Sequence, residues 1–252
     1  MKGWLLTTAV IKDTPYYDQL FLRHTHRLFS AYAQMYEMDY KPQVFTWEPP
    51  DSFDNHRSVW YDELMEVAFT SSAPRGTEVV YASIPQRRRW LDEYDGVVFL
   101  DSDMVIVDFE HDICHTVSDR VPIGSHGGAA VVVMRSNQLT KAFLDTIWAM
   151  RERYRHEQWL EQAAMIHLLG YCPHWPGGDG APEYLGDTAW TPYHVDIGEA
   201  WNHHPWREWS EDFYIFHPSG VQPFSARMGY IEGAARLGLE QLERVNGRAV
   251  GN

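Results

Sequence analysis

Cysteine and positive charge are both scarce in this sequence. Its 252 residues include two cysteines, Cys114 and Cys172, which excludes a disulfide framework and is typical of a reducing compartment. Lys and Arg number 21 against 35 Asp and Glu, and the formal net charge is −14 at pH 7. This balance argues against a general phosphate-binding surface for nucleic acid or for an anionic membrane.

Long apolar runs are also missing. No segment approaches the roughly 20 apolar residues that a membrane-spanning helix needs. The N-terminal MKGWLLTTAVIKD has a short apolar run that soon meets charge, so it predicts a first strand and not a signal peptide. We therefore expect a cytoplasmic protein without a membrane span.

Apolar segments of strand length alternate with amphipathic segments of helix length along the chain. This alternation predicts an α/β fold, in which a mostly parallel central sheet is covered by helices on both faces. The length fits a single domain over residues 1–245, followed by a frayed tail at 246–252. In such sheets ligands bind beyond the carboxyl ends of the strands.

Local patterns also predict individual elements. Residues 59–69 should be helical, and Val79–Tyr81 should form a short strand. Pro85 should stand in the first turn of the next helix, where its missing N–H costs nothing. A terminal helix is expected at Arg236–Val245.

Two carboxylates, Asp101 and Asp103, interrupt the apolar run VVFLDSDMVIV, which predicts a buried central strand. A buried carboxylate without partners is costly, so the pair needs cations, hydrogen bonds or a metal ion. Residues i and i+2 of a strand project from the same side, so both carboxylates can converge on one ligand. Two oxygen donors at this spacing suit Mg²⁺ or Mn²⁺ with a phosphate. The alternative is a pair of salt-bridged residues at a strand end.

A third protein ligand would complete such a metal site, and histidine is the candidate type. His217, in FHPSG just after the predicted last strand, is the best placed. The competing histidines are His111, His115, His194, His203 and His204. The triplet Arg87–Arg89, before the central strand, is either a solvated helix face or the source of one arginine that reaches a diphosphate.

Five blocks of this sequence resemble, in order and approximate spacing, the motifs of a family of retaining GT-A glycosyltransferases. That family includes the fungal α-galactosyl/α-mannosyltransferases and the plant xyloglucan xylosyltransferases, relatives of glycogenin-type enzymes. The blocks are ASIPQRRR with VFLDSD (82–89 and 98–103), VVVMRSN (131–137), FLDT (143–146), WLEQAA (159–164) and FHPSG (216–220).

The resemblance implies a GT-A fold and a nucleotide-diphosphate sugar donor, with a UDP-sugar favoured over a GDP-sugar. Residues 1–110 would form the nucleotide-binding half, and residues 111–245 the acceptor half with the closing metal ligand. The implied ligands of Mn²⁺ or Mg²⁺ are Asp101, Asp103 and His217. The implied donor-binding residues are Thr7, Thr8, Ala9, Arg88, Asp101 and Gly220.

The resemblance also implies transfer of a hexose or pentose with retention of configuration. Glu161 and Gln162 would lie beside the reacting sugar carbon as catalytic residues, and which of them faces that carbon stays open. One departure concerns Gly128-Ala129-Ala130, which stands where the family has Asn-x-Gly. A side chain expected to bind sugar is therefore missing, and the sequence does not identify the sugar.

Alternative functions stay open at this point. A haloacid-dehalogenase-type phosphotransferase also places Asp-x-Asp after an apolar strand, although here an apolar segment follows the pair. A non-catalytic sugar-binding or nucleotide-binding regulatory module would retain the fold without the reaction. For an enzyme, the expected acceptor is a saccharide or glycoconjugate. A modified DNA base is disfavoured by the charge of −14 but stays an alternative.

Overall fold

The computed structural model describes residues 2–12, 16–45, 77–126, 128–154, 160–173, 183–207, 212–218, 221 and 224–250. The strands in this part of the chain are β1 (Lys2–Thr7), β2 (Ala9–Ile11), β3 (Asp39–Tyr40), β4 (Gln43–Phe45), β5 (Tyr94–Leu100), β6 (Val105–Ile106), β7 (Ile123–Ser125), β8 (Val131–Arg135), β9 (His194–Asp196) and β10 (Ile215–Phe216). The α-helices are α1 (His26–Met35), α2 (Thr77–Trp90), α3 (Gln138–Ala149), α4 (Arg151–Tyr154), α5 (Leu160–Leu168) and α6 (Phe224–Val250), and a π-helical segment, Tyr16–Thr25, leads directly into α1.

Six strands form the central sheet, in the order β3-β1-β5-β8-β7-β9. Three of its five pairings are parallel, and the two that β8 makes are antiparallel. Strands β1, β5, β7 and β9 therefore run in the same direction, and their carboxyl ends meet at one edge of the sheet. The predicted α/β fold with a mostly parallel sheet is confirmed.

Side chains along β5 alternate between two buried layers. Val98 and Leu100 face the layer that contains Leu28 of α1 and Ile231 of α6. Val97 and Phe99 face the opposite layer, which α2, α3 and α5 cover. An apolar run without polar alternation is what a strand buried on both faces requires. The prediction that helices cover both faces is confirmed.

A second, two-stranded sheet joins the C-terminal part of the chain to the segment after β5. Strands β6 and β10 pair antiparallel, with Phe216 opposite Val105. Helix α6 passes so close to β6 that a Cβ at Gly238 would lie 2.3 Å from the carbonyl oxygen of Ile106. Glycine at this position therefore permits the helix to pack directly against the strand backbone.

Several local predictions need correction. Val79–Tyr81 belongs to helix α2 and does not form a strand, and Pro85 lies inside that helix and not in its first turn. The terminal helix begins at Phe224, twelve residues earlier than expected, and continues to Val250 through most of the predicted frayed tail. Its glycines, which have low helix propensity, conceal this extent in the sequence.

The predicted helix at residues 59–69 lies outside the described residues. Within the described ranges, no helix combines the length and the apolar character that crossing a membrane requires.

Candidate metal and donor site

The Asp-Ser-Asp segment is a turn and not the middle of a continuous strand. Strand β5 ends just before it, and β6 starts soon after it in the other sheet. The Met104 N–H donates to the Asp101 carbonyl oxygen at 3.1 Å, and the Asp101 N–H donates to Ala130 O at 2.8 Å. The Thr25 hydroxyl donates to Ser102 O at 2.8 Å. The two carboxylates therefore converge because the chain turns, and the sequence-based explanation through strand pleating was wrong.

His217 reaches this turn through the two-stranded sheet. The pairing of Phe216 with Val105 places the next residue, His217, beside the aspartates. Its Nε2 lies 3.4 Å from Asp103 Oδ1 and 4.0 Å from Asp101 Oδ2. One ligand atom from each of the three residues lies within 4.8 Å of the others. The structure thus brings the three predicted metal ligands together.

Asn202 determines which ring nitrogen of His217 faces the aspartates. The Asn202 Nδ2 donates to the carbonyl oxygen of His126 at 2.9 Å, so its Oδ1 is the atom that accepts from His217 Nδ1, also at 2.9 Å. Because Nδ1 donates to Asn202, Nε2 is the nitrogen whose lone pair would bind a metal ion that takes the place of the Nε2 proton. Two carboxylates and an oriented imidazole form a donor set that fits a divalent ion such as Mn²⁺.

Arg227 of helix α6 supplies a buried positive charge that the sequence analysis missed. Its Nη1 lies 3.4 Å from Asp103 Oδ2, and its side chain is only 1 % exposed. Burial opposes the charge of Asp103, but His217 and Arg227 outweigh it and lower the pKa of that carboxyl to about 2. Asp103 is therefore held ionised, as a metal ligand must be.

Asp101 has the opposite electrostatic environment. Desolvation of the carboxylate and the negative charges of Asp103 and Glu161 raise its pKa well above the usual value, although the charge of Arg87 acts against them. Solvent nevertheless reaches 40 % of its side chain, so Asp101 marks the mouth of the site. A divalent ion entering from solvent would relieve the repulsion that this carboxylate experiences.

Arg87, and not Arg88, is the arginine directed toward this group. The Arg87 guanidinium is buried over the ring of Phe99, 4.1 Å from its centroid, and donates to Ser83 Oγ at 2.7 Å. Burial lowers its pKa to about 10, and the charges of Glu161 and Asp101 oppose that shift. This arginine remains positively charged at neutral pH.

Arg88 lies instead on the protein surface. Its Nη1 is 3.0 Å from Asp92 Oδ2, and its Nε is 3.2 Å from Asp145 Oδ2. Both carboxylates are more than half exposed, so Arg88 pairs at the surface while Arg87 lies near the acidic group, and a contact of Arg88 with a donor stays a prediction.

Glu161 and Gln162 begin helix α5 and face the same edge of the sheet. Burial raises the pKa of Glu161 to about 7, while Arg87 and the N–H groups of Glu161 and Gln162 act in the opposite direction. The Gln162 side chain lies against Gly128, where a Cβ would be 2.3 Å from its Nε2. The glycine that replaces the family's asparagine thus makes room for Gln162.

We expect Gly128→Ala to displace Gln162 and to reduce, by at least about tenfold, the sugar transfer that the family resemblance implies, because small misplacements of reacting groups are costly. Gly128 has φ of +124°, so alanine there also strains the backbone. Gly186→Ala is the matched control, because Gly186 has φ of +126° and nothing within 4 Å of an added Cβ. Initial rates and urea unfolding of both variants would be compared, and equal rates would exclude a role for Gln162 in transfer.

The predicted nucleoside-binding residues lie at the end of β1, beside β5. Thr7 and Thr8 are fully buried, and the Thr7 hydroxyl donates to Lys41 O at 2.6 Å. Ala9 begins β2 and is partly exposed. Their contact with a nucleoside stays a prediction, and Gly220 lies outside the described residues.

The competing histidines have other partners. His111 Nδ1 is 3.0 Å from Asp108, and His115 Nε2 is 3.6 Å from Asp112. His194 Nε2 lies 2.8 Å from Ser125 Oγ. His203 stacks on Phe213 at 4.6 Å, and His204 Nδ1 donates to His217 O at 3.0 Å. Among the described residues, the three-ligand group therefore includes none of these five.

The sequence matches no protein-family model and no curated protein. Solved structures do match it. One is a glycosyltransferase involved in the glycosylation of the major capsid of PBCV-1, with 13 % identity, a TM-score of 0.55, and coverage of 92 % of this chain and 100 % of that one. Two others have lower TM-scores. The glycosyltransferase GlyE of Streptococcus pneumoniae TIGR4 has 10 % identity, 93 % and 64 % coverage and a TM-score of 0.45. Mouse xyloside xylosyltransferase 1 has 11 % identity, 88 % and 99 % coverage and a TM-score of 0.36.

The likeness to the PBCV-1 protein spans nearly the whole of both chains and defines the class of fold. This chain has the GT-A fold, as the sequence predicted. The fold does not favour the phosphotransferase alternative.

Proposed function

We propose that this protein is a metal-dependent glycosyltransferase, which moves a hexose or pentose from a nucleotide-diphosphate sugar to an acceptor hydroxyl with retention of configuration. The observation that carries the proposal is the convergence of Asp101, Asp103 and His217 at the carboxyl edge of a GT-A sheet. In open α/β sheets this edge is where ligands bind.

The charges around the edge suit a metal ion and a diphosphate together. Three carboxylates, of Asp101, Asp103 and Glu161, face two buried guanidinium groups, of Arg87 and Arg227. This excess of negative charge favours a divalent cation. Binding the cation reverses the sign of the local charge, and a diphosphate then becomes the complementary ligand.

The reaction breaks the bond between the anomeric carbon and a phosphate oxygen and forms one to the acceptor oxygen. A divalent ion bound by the three ligands would stabilise the negative charge that develops on the leaving diphosphate. We assign to Glu161 and Gln162 the stabilisation of positive charge on the sugar ring, and the buried charge of Arg87 favours the ionised form of Glu161. In a front-face reaction the leaving phosphate oxygen takes the proton of the acceptor hydroxyl.

The finer assignments rest on the family resemblance. We propose Mn²⁺ or Mg²⁺ as the cation, a UDP-sugar in preference to a GDP-sugar, and a saccharide or glycoconjugate as the acceptor in a cytoplasmic setting. A modified DNA base is the acceptor that an activity screen should include as the alternative.

Calorimetric titration tests the donor site. We expect UDP to bind in the presence of Mn²⁺ and to lose at least about tenfold in affinity with a chelator, because the ion links the carboxylates to the diphosphate. GDP under the same conditions is the comparison that identifies the nucleotide. If neither nucleotide binds with Mn²⁺, the proposed function is overturned.

Turnover separates an enzyme from a binding module. Hydrolysis or transfer from a UDP-sugar, followed by release of UDP, should require the same metal that binding requires. Metal-dependent UDP binding without any turnover, across a panel of UDP-sugars and acceptors, would favour the non-catalytic module instead.

A further inference from the structure

A second group of polar and aromatic side chains is linked to His217 through His204 and Asn202, and the proposed donor chemistry does not use it. We call this group the acceptor platform and define it as His126, Asp196, His204 and Trp206. It is built from the ends of two parallel strands and from the segment that follows Asn202.

His126 and Asp196 form a fixed pair at the strand ends. Ser125 of β7 stands opposite Asp196 of β9, so the residue after Ser125 lies beside this aspartate. The His126 Nδ1 is 2.7 Å from Asp196 Oδ1, and the Gly198 N–H donates to the same oxygen at 2.9 Å. An Nδ1–H bound to a carboxylate leaves Nε2 as an acceptor of hydrogen bonds. His126 is 24 % exposed, so this nitrogen can meet a ligand.

His204 and Trp206 form a rigid aromatic stack. Their rings are nearly parallel, 9° apart, with centroids separated by 4.4 Å. His204 is anchored by donating from Nδ1 to His217 O at 3.0 Å. One face of the Trp206 indole is therefore covered, yet the residue is 52 % exposed. A tryptophan held in place with much of its surface open to solvent is typical of a binding surface.

Both parts of the platform are linked to His217, the His126 part through Asn202 and the His204 part by direct contact. Asn202 joins the backbone of His126 to the His217 ring through two 2.9 Å hydrogen bonds. The His204 ring lies 5.0 Å from the His217 ring. An acceptor bound on the platform would therefore lie next to the donor diphosphate, which is where transfer requires it.

We propose that the acceptor platform binds a pyranose ring of a saccharide acceptor, and this inference rests on the proposed function. The apolar C–H face of the ring stacks on the open face of Trp206, whose negative π face attracts those hydrogens. A ring hydroxyl donates to His126 Nε2, and Asp196 keeps the imidazole oriented. A nucleobase can also stack on tryptophan, but the platform adds no cationic side chain for its phosphates, and the chain carries a charge of −14.

Saturation-transfer NMR tests the platform with methyl glycosides of glucose, galactose, mannose and xylose, each titrated with and without Mn²⁺ and UDP. We expect at least one of them to bind the wild-type protein. Trp206→Ala should weaken that binding about tenfold, and His126→Gln should weaken it severalfold, with Mn²⁺–UDP affinity preserved in both variants. Tyr184→Ala is the matched control, because Tyr184 is 50 % exposed and its ring packs edge-on against Tyr171, which is not part of the platform.

Two results would overturn the proposal. One is that none of the methyl glycosides binds the wild-type protein, and the other is that the Trp206 and His126 variants bind them as the wild type does. If a nucleoside binds the platform and the methyl glycosides do not, the ligand of the platform is a base and not a saccharide. Failure of the proposed function appears separately, as the absence of Mn²⁺-dependent UDP binding.

Discussion

Asp103→Asn should weaken metal-dependent nucleotide binding by about 100-fold or more and should also destabilise the fold. The substitution removes a metal ligand and takes its negative charge away from Arg227, which is almost fully buried. Breaking a buried ion pair costs about 3–5 kcal/mol, and because the asparagine oxygen still accepts one hydrogen bond we expect about 2 kcal/mol. Calorimetric titration with UDP and Mn²⁺, together with urea unfolding, measures both effects.

Asp101→Asn is the matched control, with the same loss of binding and a different effect on stability. The raised pKa of Asp101 means that the folded protein disfavours its charge, so asparagine should leave the stability unchanged or slightly increase it. If Asp103→Asn unfolds at the same urea concentration as the wild type, Arg227 is not its counter-charge.

Arg87→Met should destabilise the protein by about 1–2 kcal/mol more at pH 8 than at pH 5, because it removes the buried positive charge that acts on Glu161 and Asp101. The effect should depend on pH. The pKa of Glu161, already about 7 in the folded protein against 4.5 for the free residue, should rise further. A carboxyl whose pKa is raised by folding keeps its proton more readily in the folded protein. The free energy of unfolding therefore falls as the pH rises from the pKa of the free residue to the pKa in the folded protein. The deficit should therefore be smallest at pH 5 and should increase between pH 7 and pH 8.

Arg88→Met separates this effect from the general loss of an arginine. Arg88 pairs with exposed carboxylates, so its replacement should cost less than about 1 kcal/mol at either pH. Urea unfolding of the two variants at pH 5 and pH 8 gives four values to compare. A deficit in Arg87→Met that does not change with pH would show that Arg87 acts through packing on Phe99 and not through Glu161.

The metal ligands were predictable from the sequence because short motifs carry them. Asp101 and Asp103 follow an apolar strand, and His217 belongs to a block that closes the family pattern. What the sequence did not supply was the reason that they converge. The turn is held by two hydrogen bonds to residues far away in the chain. The Thr25 hydroxyl donates to the Ser102 carbonyl oxygen, and the Ala130 carbonyl oxygen accepts from the Asp101 N–H.

Arg87 was predictable in principle. Ser83, Ile84, Trp90 and Leu91 are buried together with Arg87 and, at about 100° per residue, form one helix face centred on Arg87, whereas Arg88 lies about 100° from that centre. The family motif indicates Arg88 instead, whereas the helix phase indicates that Arg87 is the arginine on the buried side.

Arg227 was much harder to predict. It lies four residues before the buried Ile231, but the helix that contains both was expected to begin later. Low-propensity glycines concealed the start, and tertiary packing of α6 against the β6 strand overrides that propensity.

The pairing of β6 with β10 has a consequence for how the protein is made. Asp103 and Arg227 are 124 residues apart in the chain, so a ribosome finishes the acidic turn long before it adds the guanidinium and the imidazole that neutralise it. Until that C-terminal segment emerges and docks, the nascent chain has an incomplete metal site with two crowded carboxylates. Closing so long a loop is slow and entropically costly. The ability to bind the cation therefore arises only after the segment that carries His217 and Arg227 has been synthesised and has docked.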